Sequence, residues 1–213
     1  TGDGGAFCRR LFGGGFYNSV KATHVDIYAM DCRDIFGGGM MGDVEKSTTV
    51  NIGTQNPSAA SSESTFSNKD IFIHGNVYGG NDVSGYVNVV EKNGNFTDNK
   101  GEGTHINIYG GKIDGDVYGA GNGDYLYALD RKGNTQITVN ENYPLNLNDP
   151  NSETTPLVFT VPMRENMPSH KAASDAAKMV NINSWRPMTN KVNINIMGNS
   201  NEDYVLIKGD VYG

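Results

Sequence analysis

The sequence predicts an all-β chain, a right-handed parallel β-helix (β-solenoid) of about four coils with one long insertion, and three observations carry that expectation. Eight residues at 8–15, CRRLFGGG, return at 32–39 as CRDIFGGG. An aliphatic, an aromatic and a glycine recur in one frame five times: Leu11-Phe12-Gly13, Ile35-Phe36-Gly37, Val77-Tyr78-Gly79, Val117-Tyr118-Gly119 and Val211-Tyr212-Gly213. Between the copies lie triplets of a polar residue flanked by aliphatics: Val25-Asp26-Ile27, Val50-Asn51-Ile52, Val87-Asn88-Val89, Ile106-Asn107-Ile108, Ile137-Thr138-Val139 and Val192-Asn193-Ile194.

Repetition at this scale means stacked supersecondary units. The triplets alternate as strands do when one face is buried and the other is wet. Glycine after each aromatic supplies the turn, because it accepts positive φ without steric cost. The step from Phe12 to Phe36 spans 24 residues, the size of a compact coil, whereas the later steps span 42, 40 and 94. The longer coils must therefore carry insertions. These are expected as GTQNPSAASSESTFSNKD between Ile52 and Ile71, EKNGNFTDNKGEG from Glu91, and the segment from about 140 to 190. All three are expected at the corner between the second and third strands of a coil, where they would stack into one surface.

Residues 1–213 thus read as a single module, a fragment of a longer chain because GDVYG at the end stops inside a motif, with 141–190 as a corner insertion of loop plus short helix. The first half of that insertion is punctuated by proline and so extended or looped. Ser169 then offers an N-cap to the alanine-rich SHKAASDAAKMV.

Composition agrees with β structure. The 28 glycines among 213 residues are nearly double the usual ~7% share, and only 19% of residues are charged. A net charge of −7 with no basic run argues against a nucleic-acid partner. No apolar run approaches the ~20 residues of a membrane span. HExxH, a nucleophile elbow and CxxC are all missing, so zinc or triad chemistry has no support in the sequence.

Stacking at the ~4.8 Å strand spacing gives candidate sites. Cys8 would lie on Cys32, within reach of a disulfide, and the alternative is two free thiols in an inward column. Asp34, Asn76, Asp116 and Asp210 precede the aliphatic-aromatic pair and would form a row of oxygen ligands suited to Ca²⁺. A solvated row without metal is the alternative, since like charges at that spacing repel by only about 1 kcal/mol in water. Asp26, Asn51, Asn88, Asn107, Thr138 and Asn193 would form a second row, either a flat amide surface for sugar hydroxyls or a column bonded along itself. Phe96, Tyr143, Trp185 and Arg186 sit in the insertions and are the candidate binding residues; an aromatic beside Arg186 would stack on a sugar ring or anchor a partner chain, and the alternative for Trp185 is a plug that fixes the insertion to its scaffold.

The units GNVYGGN at 75–81, GDVYGAGN at 115–122 and GDVYG at 209–213, with VNI strands between them, resemble the glycine-rich GxVYGGG repeats of large adhesin-like surface or secreted proteins of gut anaerobes, of parallel β-helix type. The resemblance covers roughly 1–53, 70–140 and 191–213. It implies an extracellular or cell-surface segment, structural and adhesive, that presents its corner loops to a glycan or a host or bacterial surface protein. Two other functions are kept open by the residues. One is a carbohydrate-active β-helix lyase or hydrolase on an acidic polysaccharide, for which Arg9, Arg10, Arg33 and Asp34 would supply the charged groups. The other is a filament subunit that self-associates through its open ends.

Overall fold

The computed structural model describes residues 7–54, 68–92, 95–129, 135–139, 157–160, 186–198 and 205–213, and these are all-β apart from one 3-10 turn at Asn68–Asp70. The chain visits two parallel sheets alternately and climbs one tier at each return. Tier one consists of β1 (Phe7–Phe12) and β2 (Val20–Ile27), and tier two of β3 (Met30–Phe36) and β4 (Val44–Ile52). Tier three holds β5 (Ile71–Ile73), β6 (Val77–Tyr78), β7 (Tyr86–Val87), a hairpin of β8 (Val89–Lys92) and β9 (Asn95–Asp98), and β10 (Gly103–Ile108). Tier four begins with β11 (Gly111–Ile113) and β12 (Val117–Tyr118) and departs into β13 (Leu126–Leu129), β14 (Thr135–Val139) and β15 (Leu157–Thr160). It returns as β16 (Met188–Thr189) and β17 (Val192–Ile196), and tier five adds β18 (Val205–Ile207) and β19 (Val211–Tyr212).

The first sheet has the order β18-β11-β5-β3-β6-β12-β19 with β1 also on β3; the second has β16-β7-β4-β10-β17 with β2 also on β4. Every pairing within these two sheets is parallel. The continuous β3 pairs with two short strands because later tiers carry one extra residue: Cys32 matches Ile73 and Ile35 matches Val77. That residue makes the kinks His74-Gly75, Asp114-Gly115 and Lys208-Gly209, which tier two lacks.

Alternation sorts the side chains. Ile27, Cys32, Ile35, Val50, Ile52, Ile71, Ile73, Val77, Ile106, Ile108, Ile113 and Val117 form one core cluster. Each fully buried Val or Ile contributes on the order of 1.5–3 kcal/mol. A second cluster, Met40, Met41, Val83, Tyr86, Val89 and Tyr125, is built by the segments that follow the aromatic-glycine strands.

The insertions do not share one corner. Residues 55–67 leave after β4, the β8–β9 hairpin leaves from within the run between β7 and β10, and β13–β15 leave before β16. The rungs of the second sheet also differ from the sequence reading. Val25, Val50, Ile106 and Ile194 share one column, so Asn195 is the partner of Asn107, whereas Asn193 aligns with His105. Thr138 lies in β14, which is antiparallel to β13 and β15. Asn88 is buried at φ 58 and belongs to no outward row. Tyr143, Trp185, Ser169 and the expected short helix lie outside the described residues.

Candidate functional site

The chemistry-bearing side chains are organised as columns along the stacking direction. In the aromatic column Phe12, Phe36, Tyr78, Tyr118 and Tyr212 stack with ring centroids 4.8, 4.8, 5.1 and 5.0 Å apart and planes within 12°. Such pairs add about 0.5–1.5 kcal/mol each beyond area burial. Where the ring is tyrosine, the residue two positions before it bonds the hydroxyl. Asn76 Nδ2 donates to Tyr78 Oη (3.0 Å), while Tyr118 and Tyr212 donate to Asp116 Oδ2 (2.7 Å) and Asp210 Oδ2 (3.1 Å). In tiers one and two, where the ring is Phe, the matching positions hold Arg10 and Asp34, and Asp34 Oδ2 lies 3.6 Å from Arg33 Nε.

The row read as a calcium ladder is a chain of backbone caps. The amide of Asn76 donates to Asp34 Oδ1, that of Asp116 to Asn76 Oδ1 and that of Asp210 to Asp116 Oδ1, each at 2.8 Å. The oxygen takes the space directly beneath the residue before the next rung. A Cβ on Gly75, Gly115 or Gly209 would overlap Asp34, Asn76 or Asp116 Oδ1 respectively. Hence the motif is G-[D/N]-V-Y: aspartate or asparagine caps the tier above, and glycine makes room for the cap from below. The Asp210 amide and then the Tyr118 hydroxyl hold the Asp116 carboxyl below the usual carboxylate range, and the carboxylate in turn pushes Tyr118 up to about 12. With Oδ1 given to an amide at Asp34, Asn76 and Asp116, and Oδ2 of Asp116 and Asp210 to tyrosine, the row offers a hard cation no converging set of free oxygens. Among the described residues no group of three His, Cys, Asp or Glu is gathered as a metal site.

The outward amide row bonds along itself. Asn51 Nδ2 donates to Asp26 Oδ1 (2.7 Å), Asn107 to Asn51 (2.8 Å) and Asn195 to Asn107 (2.9 Å). His24 Nε2 lies 2.8 Å from Asp26 Oδ1. A column that the sequence reading passed over faces inward. Thr23, Thr48 and Thr104 are buried, and their hydroxyls donate to the carbonyls of Gly37, Gly79 and Gly119, at 2.5, 2.5 and 2.6 Å. Each threonine thus ties one sheet to the glycine turn of the next tier. The repeated Thr before the His or Thr of VDI, VNI and INI was its sequence signal.

Cys8 and Cys32 occupy matched positions, as expected, and both are free thiols. Burial, then the neighbouring Cys8, pushes the Cys32 thiol up to about 12. In this structure the pair forms the inward column of thiols that stood as the alternative to a disulfide.

Buried polar groups tie the loops together. Asp82 Oδ1 accepts from the Tyr125 hydroxyl and from Asn122 Nδ2 (2.9 Å), and Oδ2 pairs with Arg10 Nη1 at 3.2 Å. Asn68 pairs with Thr54, with Thr54 N donating to its Oδ1 (3.0 Å) and its Nδ2 to Thr54 O (3.2 Å). Asn88 closes the hairpin by accepting from Gly101 N (2.5 Å) and donating to Gly101 O and Asn190 Oδ1. The left-handed backbone at Asn88 is one asparagine tolerates.

The candidate binding residues do not converge. Phe96 is exposed on β9 and packs edge-on against buried Tyr86, with centroids 5.6 Å apart. Arg186 Nη1 donates to Gly123 O at 2.5 Å and anchors the returning chain to tier four. On the outer face of the first sheet, His74 Nε2 lies 2.7 Å from Asp31 Oδ1, and Lys208 and Lys112 lie 2.8 and 3.2 Å from Asp114 Oδ1.

No family model, curated protein or solved structure matches this chain. Among the described residues no helix is long and apolar enough to cross a membrane.

Proposed function

We propose that the chain is a right-handed parallel β-solenoid segment of an exported surface or fibre protein, with structural and adhesive work: a stiff stack that holds its excursions toward a glycan or a protein partner. One observation carries this reading. The polar and aromatic side chains of the motif bond to the tier above or below, in four parallel columns, so the repeat sequence is devoted to cohesion between tiers. The buried carboxylates Asp34 and Asp82 likewise face cationic, amide and hydroxyl partners rather than solvent, which favours a scaffold over a polysaccharide-cleaving groove. Recognition then falls to the excursions, including the candidate residues Phe96, Tyr143 and Trp185.

The test is glycan-array and surface-protein binding by the purified chain, with and without residues 140–185, each repeated in a calcium chelator. Binding that disappears with the excursion, in a variant that keeps its cooperative unfolding, is expected. Depolymerisation of an acidic polysaccharide by the intact chain would overturn the reading in favour of an enzyme.

A further inference from the structure

We propose that the outer face of the first sheet is a self-pairing surface, on which a second copy of this chain packs face to face with its tiers in reverse order. This pairing is independent of what the excursions bind and rests on the register of β1, β3, β5, β11 and β18. That register sets Phe7, Asp31, Phe72, Lys112 and Leu206 in one column. The residues that follow them, Cys8, Cys32, Ile73, Ile113 and Ile207, lie in or against the core, so the column faces outward. Phe7, Phe72 and Leu206 are 36%, 40% and 38% exposed. The exposure of Phe72 does not come from an end of the stack, since β5 is paired with β3 on one side and β11 on the other.

Along the stack the column runs apolar, acidic, apolar, basic, apolar. Reversed about Phe72, it keeps its apolar positions and exchanges the two charges. A two-fold interface needs a patch that is complementary to itself, and this order has that property. A two-fold axis parallel to β5 reverses the tiers and leaves the column in place. It sets Phe72 against the copy's Phe72, Phe7 against Leu206, and Asp31 against Lys112 twice. An axis along the stack would keep the tier order and oppose Asp31 to Asp31 and Lys112 to Lys112, an arrangement that like-charge repulsion disfavours. Charge thus selects one orientation and a same-sequence partner, because a foreign chain has no need of a pattern that mirrors itself.

The two charged residues retain capacity for a partner. Their side chains are 55% exposed at Asp31 and 31% at Lys112. Asp31 engages His74 Nε2 through Oδ1 at 2.7 Å, which leaves Oδ2 to accept. Lys112 Nζ lies 3.2 Å from Asp114 Oδ1 and has three hydrogens to give. The next outward residues are tied within the chain, His74 to Asp31 and Lys208 to Asp114, so the pairing is carried by the one column. Five tiers at ~4.8 Å make that column about 20 Å tall. This is the scale of weak, reversible contacts, and the ion pairs within it make the association salt-sensitive.

The experiment is sedimentation velocity of the whole chain over a concentration series at low and high salt. A reversible monomer–dimer equilibrium that weakens with salt is expected. Asp31→Lys and Lys112→Asp, each alone, should weaken the dimer about ten-fold or more, because each sets like charges opposite one another twice. An equimolar mixture of the two variants should restore the parent affinity, since the reversed pairing then meets every introduced charge with its opposite; a variant that had merely lost its fold would not be rescued in this way. Phe72→Ser, on the axis, should weaken the dimer without altering the urea midpoint. A chain that stays monomeric throughout, an affinity indifferent to salt or to both charge substitutions, or a mixture no tighter than its components overturns the proposal. Should a charge variant unfold, the salt series and Phe72→Ser still decide it.

Discussion

Gly115 shows how one residue type is forced by a neighbour in another tier. Its φ is unremarkable, and its lack of a side chain matters because Asn76 Oδ1 and the Gly75 carbonyl occupy the Cβ position. Gly115→Ala is expected to cost roughly 1–3 kcal/mol, the range for forcing a methyl into a filled site, measured as a shift in the urea midpoint. Gly213 has nothing within 4 Å of its Cβ position, so Gly213→Ala should leave the midpoint unchanged. Asp82 makes a different demand. Burial raises its carboxyl above the ordinary value, against the opposing pull of Arg10, Tyr125 and Asn122. A raised carboxyl means that the folded chain holds a proton the unfolded chain has released, so stability falls as pH rises from the unfolded value through the folded one. Asp98, Asp114 and Asp116 are lowered by Lys191, by Lys208 and by the Asp210 amide, and they act in the opposite sense: their contribution is present above the unfolded value and is lost as pH falls through the folded one. Denaturation midpoints recorded from pH 3 to 8 should therefore rise to a maximum and then decline. Asp82→Asn should remove the declining limb and leave the acid limb in place; a decline that persists in the variant would assign it to another group.

At the scale of the strand, the threonine column makes a measurable claim. Thr104 Oγ1 bonds Gly119 O across to the other sheet, and one tier up Val192 occupies the same position, so valine fits that column. Thr104→Val should lose about 1 kcal/mol, the net value of one buried hydrogen bond, with no change in the cooperativity of urea unfolding; a neutral outcome would show that the hydroxyl only fills space. The strands themselves were legible in the sequence because alternation and the aromatic-glycine frame are local signals. Their register was not. VNINI contains two aliphatic-polar-aliphatic triplets two residues apart, and only pairing with Thr104-His105-Ile106-Asn107-Ile108 decides that Asn195, not Asn193, continues the amide row. Val87-Asn88-Val89 carries the same pattern, yet the polar residue turns inward at positive φ to close a hairpin. The choice between calcium ladder and metal-free row, and between disulfide and thiol column, was not legible for a related reason. Spacing brought Asp34 near Asn76 and Cys8 onto Cys32, but what those atoms bond to depends on the kink residue and on burial, which no spacing reveals.

For the whole molecule, cohesion between neighbouring tiers implies a gradient of stability along the stack. Each tier of the parallel sheets contacts chiefly the tiers beside it, so stability is close to a sum of tier and interface terms. The interior tiers have partners on both sides: in β4 and β10, Thr48, Val50, Ile52, Thr104, Ile106 and Ile108 are all buried. Among the described residues the outer tiers pair on one side, and β17 and β19 are largely exposed. The Arg10–Asp82 pair reaches from tier one to tier three and adds a tie across the lower tiers. Native-state amide exchange should therefore be slowest in β4 and β10, intermediate in β2 and β12, and fastest in β17 and β19. Val211→Ala should speed exchange in tier five alone, whereas Ile106→Val should speed it throughout, because opening tier three separates the stack into two shorter pieces. Uniform exchange across all tiers, unchanged in pattern by either substitution, would mean that the chain unfolds as one unit and that the columns do not act tier by tier.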